Sequence, residues 1–299
     1  MTTVAVTPRS LRQTPGPHLD RLRSELEVRF PDVDHPLDEE EMVKLVRGCA
    51  GLIVGVDPVT TRVLKAGPLR VVVKYGSGMD NIDVEAARTL GVQVTSTPGA
   101  NARSVAELAI ALLLSLARNV ALHDRSVRAG SWRRLTGVEL AGKQLGIVGY
   151  GAVGREVARL AGGLDMHVVA HDPLLHDADV PLVPLEELYS ASDAVSLHLP
   201  LTDETRGLVG ERELAAMKPN AFLINTARGG LVDEAALAAA VRSGRLAGAA
   251  LDGFEVEPLG ESPLRELENV VLSPHAGAST YDAVLRTADQ AVDRLLAEL

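Results

Sequence analysis

The chain has 299 residues, a hydrophobic fraction of 46% and a formal net charge of −10, from 30 Lys and Arg against 40 Asp and Glu. That composition excludes a disordered chain, and the length favours two domains over one. The acidic balance and the few aromatic residues (three Phe, four Tyr, one Trp) weigh against nucleic-acid or anionic-membrane partners, while a single cysteine, Cys49, excludes an internal disulfide framework and a cysteine-based zinc cluster.

Taken in chain order, the first residues hold an apolar run of only three before Pro8 and Arg9, too short for the core of a signal peptide, and a cytoplasmic protein is expected. Short runs rich in Val and Ile follow: VAV at Val4, GLIVGV at Gly51, LRVVVKY at Leu69 and VQVTS at Val92, with helical spacing over 19–30, 39–47 and 84–90. The stretch 106–117, AELAIALLLSLA, is too short to span a bilayer and carries Glu107; it reads as a buried helix within a helical join over 103–129. From Gln144 the pattern restarts as QLGIVG, HVVAHD, AVSLHL, AFLINTA, AGAALDGF and VVLSPH, with helices expected over 155–161, 211–217 and 233–243. Continuous apolar strands alternating with helices indicate parallel sheets covered on both faces, and two such series indicate two doubly wound α/β domains. The last segment, 281–299, aligns Val284, Leu285, Ala288, Ala291, Val292, Leu295 and Leu296 on one stripe, the pattern of an amphipathic helix that covers a surface.

In LGIVGYGAVGREVARLA, Gly149, Gly151 and Gly154 follow an apolar strand and open a helix, the context in which G-x-G-x-x-G signals a dinucleotide site. The first glycine allows the tight turn, the second lets backbone approach a pyrophosphate, and the third packs helix on strand. Asp172 ends the next strand, where a carboxylate accepts hydrogen bonds from the ribose and repels a 2′-phosphate, so NAD is expected over NADP. The string alone also fits a structural turn, and Asp172 alone also fits an Asp-Pro turn.

In open α/β sheets ligands lie beyond the carboxyl ends of the strands. Three charged or titratable residues fall there: Arg228 after AFLINTA, Glu257 after AALDGF and His275 after VVLSP. A guanidinium, a carboxylate and an imidazole beside a nicotinamide suit oxidation of an alcohol next to a carboxylate. Arg228 grips the substrate carboxylate, His275 exchanges the hydroxyl proton, and Glu257 orients the ring and favours its protonated form. Each residue alone also suits a structural role; their coincidence at equivalent strand ends favours the catalytic one. The remaining histidines, His198 among them, lack such companions, and no H-E-x-x-H or carboxylate cluster suggests a metal.

The segments KYGSGMDNID, TPGANARSVAEL, GYGAVGREVA, HLPLTDETRGLVG, MKPNAFLINTARGGLVDEAAL, LDGFEVEP and SPHAGAST make the chain resemble the NAD-dependent D-2-hydroxyacid dehydrogenases over 49–280. The resemblance implies a Rossmann-like cofactor domain, 99–278, inserted in a flavodoxin-like substrate domain formed by 1–98 and 279–299, and a homodimer formed through the cofactor domains. It implies contacts to the cofactor from Ser77, Ala152, Val153, Leu199, Pro200, Thr226, Ala227, Asp252 and Gly277, with Asp252 on the carboxamide. It places Lys74, Tyr75, Gly76, Ser77 and Asn101 with Arg228 around a small anionic 2-hydroxy or 2-keto acid. Among the branches the wording resembles the phosphoglycerate dehydrogenases most, so a 3-phosphoglycerate-like substrate is expected, with hydroxypyruvate or glyoxylate reduction, or NADH sensing by a corepressor-like protein, as alternatives. Three departures qualify that. Gly55 and Val56 stand where a basic residue is common, leaving Lys74 as the nearest cation; Gly253 replaces the usual Val of L-D-V-F; and the 24 residues after His275 (299 minus 275) leave no room for a regulatory domain.

Overall fold

The computed structural model describes residues 1–299. The chain divides into two compact units, one of 1–101 with 278–299 and one of 102–277, and the crossing falls at the end of the TPGAN turn.

The first unit carries strands β1 (Thr3–Val6), β2 (Glu27–Arg29), β3 (Gly51–Val54), β4 (Val71–Lys74) and β5 (Gln93–Ser96), all parallel in the order β2-β1-β3-β4-β5. This is the flavodoxin-like order. β3 and β4 are buried at every residue, as continuous apolar runs require when both faces are covered. Helices α1 (Arg9–Gln13), α2 (Pro17–Glu25), α3 (Glu39–Leu45), α4 (Thr61–Lys65) and α5 (Val84–Thr89) lie between the strands. A capping box fixes the start of α3: the Asp38 side chain accepts from Glu41 N–H while the Glu41 side chain accepts from Asp38 N–H.

The second unit begins with α6 (Ala102–Ala117) and α7 (Val120–Arg128) and continues with β6 (Gln144–Val148), α8 (Ala152–Gly162), β7 (His167–His171), α9 (Leu185–Ala191), β8 (Ala194–Leu197), α10 (Glu211–Ala216), β9 (Phe222–Asn225), α11 (Glu234–Arg242), β10 (Gly248–Leu251) and β11 (Val270–Leu272). Its six parallel strands run in the order β11-β10-β9-β8-β6-β7. Chain direction along the sheet therefore reverses between β6 and β8, which opens a crevice beyond their carboxyl ends. One apolar core, with Val148, Leu197, Leu223 and Leu251, fills one face; the other, with Ile147, Ala194, Ile224 and Ala250 against α6 and α8, fills the opposite face. No single helix is long and apolar enough to cross a membrane.

Finally α12 (Tyr281–Glu298) returns to the first unit, capped by the Thr280 side chain. It buries Val284, Ala288, Ala291, Val292 and Leu295 of the expected stripe, and leaves Leu285 and Leu296 at the half-buried margin.

Two elements differ from the sequence reading. The helix expected over 19–30 ends at Glu25, and 27–29 instead pairs with β1 as an edge strand, because EVR needs only one half-buried Val to dock there. The single helical join over 103–129 is broken between α6 and α7 by a bend of 65°, at Asn119, whose φ of 54° is the left-handed conformation that Asn tolerates best after Gly.

Candidate active site

The glycine loop is built at the carboxyl end of β6. Gly149 has φ 92°, and a side chain there would also meet the His198 carbonyl oxygen at 2.7 Å. At Gly154 a Cβ would approach the Gly149 carbonyl oxygen to 2.3 Å, so the first turn of α8 lies directly on the loop. Gly151 is the opposite case: a Cβ there meets nothing within 4 Å, and as N-cap of α8 it supplies no side-chain cap. The first amides of α8, at Ala152, Val153 and Gly154, are thus uncapped behind an open approach, which is what a phosphate requires. After β7, Asp172 is fixed against this loop, one carboxylate oxygen accepting from Tyr150 N–H at 2.9 Å and the other from Leu174 N–H at 3.0 Å.

Beyond β9 the buried side chain of Asn225 organises the turn that carries Arg228. Its Oδ1 accepts from Ala227 N–H at 3.1 Å and its Nδ2 donates to the Arg228 carbonyl at 2.8 Å. Thr226, buried in the same turn, has a hydroxyl oxygen with no partner in the protein. An orphaned buried hydroxyl is rare, and a bound ligand is one of the few things that complete it. The uncapped helix start, the fixed Asp172 and this orphan together fit a dinucleotide along the carboxyl edge of the second sheet. Leu199 and Pro200 follow β8 at that edge, Leu199 against Gly149.

Asp252 anchors the loop after β11: its two oxygens accept from Ala276 N–H and Gly277 N–H, each at 2.8 Å. The role expected for it, on the carboxamide, thus sits beside a second one as the support of His275. That support matters because His275 has φ 54°, a conformation unusual for His and sustained only by its surroundings. His275 Nδ1 lies 2.8 Å from Glu257 Oε2, while Glu257 Oε1 accepts from Phe254 N–H at 2.9 Å. The Arg228 guanidinium donates to the Ala227 carbonyl at 2.8 Å and acts electrostatically on both members of the pair.

Their titration follows from these contacts. The bond from Glu257 raises the His275 pKa above 6.5 against the opposing effects of burial and of Arg228. Burial pushes Glu257 up, but the bonds from His275 and Phe254 N–H and the charges of His275 and Arg228 outweigh it, so its carboxyl is held below 4.5. Glu257 is therefore ionised and His275 readily protonated near neutral pH. With Nδ1 at Glu257, the other ring nitrogen, Nε2, is not engaged by that carboxylate, and the side chain is 41% exposed.

The residues expected around the substrate lie at the carboxyl edge of the first sheet. Lys74 ends β4 buried, its ammonium donating to the Gly55 carbonyl at 2.5 Å and to Asn81 Oδ1 at 2.6 Å. The Tyr75 hydroxyl donates to the Val284 carbonyl at 3.0 Å, and burial pushes its pKa up to about 12. Gly76 N–H donates to Thr97 Oγ1 at 2.7 Å. Ser77 is exposed, and Asn101 is the last residue of the first unit before α6.

Residues 110–277 match the family model described as D-isomer specific 2-hydroxyacid dehydrogenase, NAD binding domain. The hydroxypyruvate reductase of Thermotoga maritima is 41% identical over 286 residues, covering 93% of this chain and 92% of that protein. The chain belongs to the D-2-hydroxyacid dehydrogenase family. The D-3-phosphoglycerate dehydrogenase of Mycobacterium leprae is 43% identical over 270 residues, which is 88% of this chain and 51% of that longer protein. Among solved structures, the TT0316 protein of Thermus thermophilus superposes with a TM-score of 0.91 at 41% identity, covering 99% of this chain and 96% of that one.

The enzyme is thus an oxidoreductase of the CH–OH class with an NAD-binding domain. The nicotinamide cofactor supplies or accepts the hydride. What the chain itself places at this edge is a cation, Arg228, near an imidazole, His275, whose protonated form Glu257 favours.

Proposed function

We propose that this dehydrogenase reduces a small unphosphorylated 2-keto acid, hydroxypyruvate or glyoxylate, with NADH, in preference to a 3-phosphoglycerate-like substrate. The observation that carries this reading is the state of Lys74. A phosphate needs an available cation, and the cation nearest to the position expected for it is buried with its ammonium bonded to Gly55 and Asn81, while Gly55 and Val56 bring none. A relative named hydroxypyruvate reductase matches over nearly its whole length, which supports the same choice. Asp172 beside the glycine loop favours NADH over NADPH.

In this reading Arg228 holds the substrate carboxylate, His275 Nε2 gives a proton to the carbonyl oxygen as the hydride reaches the adjacent carbon, and Glu257 stabilises the imidazolium. Initial rates of NADH consumption with hydroxypyruvate, glyoxylate and 3-phosphohydroxypyruvate test it. The first two should show kcat/KM above the phosphorylated acid by about tenfold or more, since an unmatched phosphate leaves buried charge unpaired. A preference for the phosphorylated acid would sink the proposal.

The pH dependence has a definite sign. Reduction needs protonated His275, so kcat/KM for the keto acid should fall as pH rises through a pKa above 6.5, and kcat/KM for oxidation of the hydroxy acid should rise over the same window. Glu257→Gln should move both inflections to lower pH, and a wild-type inflection below 6.5 contradicts the assignment.

We also propose that the enzyme is a homodimer formed through its cofactor units. Trp132 is 77% exposed, and Val120, Val127 and Val138 are exposed on α7 and the segment after it, an apolar surface of the kind a second copy covers. Trp132→Asp should lower the mass measured by sedimentation to that of a monomer; an unchanged mass counts against this surface.

A further inference from the structure

The carboxyl edge of the second sheet has a row of side chains one level beyond its last paired residues. Those pairs are Val148 with Leu197 between β6 and β8, Leu197 with Asn225 between β8 and β9, and Asn225 with Leu251 between β9 and β10. The next level holds Gly149, His198, Thr226 and Asp252. The ladder still runs there, because His198 N–H donates to the Val148 carbonyl at 2.8 Å and Asp252 N–H to the Asn225 carbonyl at 2.9 Å. Strand residues alternate between faces, so these four share the face of Ile147, Ser196, Ile224 and Ala250, which is covered by α6 and α8.

Within that row the polar atoms are not equally satisfied. Asp252 is bonded to the His275 loop. His198 Nε2 lies 2.8 Å from Ser196 Oγ, two residues earlier on the same face. His198 Nδ1 and Thr226 Oγ1, at neighbouring positions, are both buried and both lack a partner. Two adjacent orphans are costly to leave unmade, and they lie just beyond the carboxyl ends of β8 and β9, on one side of the crevice between β6 and β8 where the strand order reverses. The His198 ring is enclosed, and burial pushes its pKa down to about 3, so it stays neutral and keeps one donor and one acceptor nitrogen. The Ser196 hydroxyl can donate to Nε2 or accept from it, and Nδ1 takes the complementary role.

We propose that His198 is a cofactor-positioning residue: its Nδ1 and the Thr226 hydroxyl form a two-point polar subsite in the floor of the crevice, completed by a polar group of the bound dinucleotide. The inference rests on the NAD-binding assignment of this unit and adds a ligand atom to it. A purely structural role would work through Nε2 and Ser196 instead, and the two roles separate chemically. Asn carries a polar atom near the position of Nδ1, whereas Gln reaches the position of Nε2.

The test is titration of the substrate-free enzyme with NADH, followed by nucleotide fluorescence, with thermal midpoints recorded for each variant. His198→Asn should bind within about threefold of wild type, whereas His198→Gln and the shape-conserving Thr226→Val should each bind roughly tenfold more weakly, the loss of one hydrogen bond to a buried group. The proposal is overturned if Gln retains binding and Asn loses it, if the two His198 variants bind alike, or if Thr226→Val binds as wild type. Should the His198 variants fail to fold, Thr226→Val decides alone: roughly tenfold weaker binding supports the subsite and unchanged binding overturns it. Failure of the wild type to bind NADH would instead sink the cofactor assignment.

Discussion

His275→Gln is expected to lower kcat for keto-acid reduction by about 10²- to 10⁴-fold, the usual contribution of a positioned acid or base, while NADH affinity changes by less than about threefold. Gln fills similar space but cannot carry the proton, and it removes the charge that Glu257 balances across 2.8 Å. Glu257 is then left as a half-buried carboxylate facing an amide. The selectivity of the loss is the informative part, because His275 lies after β11 whereas the glycine loop and Asp172 lie after β6 and β7. Rapid-mixing kinetics with separate NADH titration check it. A kcat within about threefold of wild type removes His275 from its role, and a parallel loss of NADH binding makes its role structural.

The second large effect is expected at Gly229. A Cβ built there would lie 1.9 Å from the Phe254 carbonyl carbon and 2.2 Å from Glu255 N, backbone that cannot swing aside. The same residues connect the two halves of the candidate site: Gly229 follows Arg228, and Phe254 N–H donates to Glu257. Gly229→Ala therefore has to move the Arg228 turn away from the loop that holds Glu257. A destabilisation of about 3 kcal/mol, the upper end for overpacking, is expected with a collapse of kcat/KM. Gly230→Ala is the control. Its Cβ would meet only the far ends of Leu201 and Arg206, at 3.0 Å or more, and those side chains can yield. Denaturant midpoints and steady-state kinetics on both variants check this, and a Gly229→Ala enzyme with wild-type stability and turnover contradicts the packing argument.

These two sites illustrate what is legible in one dimension. Arg228, Glu257 and His275 stand out in the sequence because each follows an apolar run that can only be a strand, and strand ends collect ligands. The long apolar runs also make both sheets plain, since GLIV and VVVK have no other stable home than a strand covered on two faces. Short elements are harder. β2 is three residues at an edge, and its one half-buried Val leaves no pattern to distinguish it from the helix before it. Bonds that hold the site in shape are harder still. Asn225 reads as the end of an apolar run, and only the fold turns it into the bracket of the Arg228 turn. His198 obeys the same strand-end rule as Arg228, yet its significance depends on which residue stands level with it on β9, and register is a property of the sheet rather than of the string. Lys74 shows the converse: a cation at a strand end is a plausible anion ligand until burial and the carbonyl of Gly55 account for it.

The stereochemistry of the product is the most direct test of the proposed reaction. Hydroxypyruvate and NADH should be converted one for one into glycerate and NAD, with the glycerate resolved by chiral chromatography as the D isomer alone. Formation of L-glycerate, or of no glycerate while the enzyme is folded and binds NADH, would contradict it.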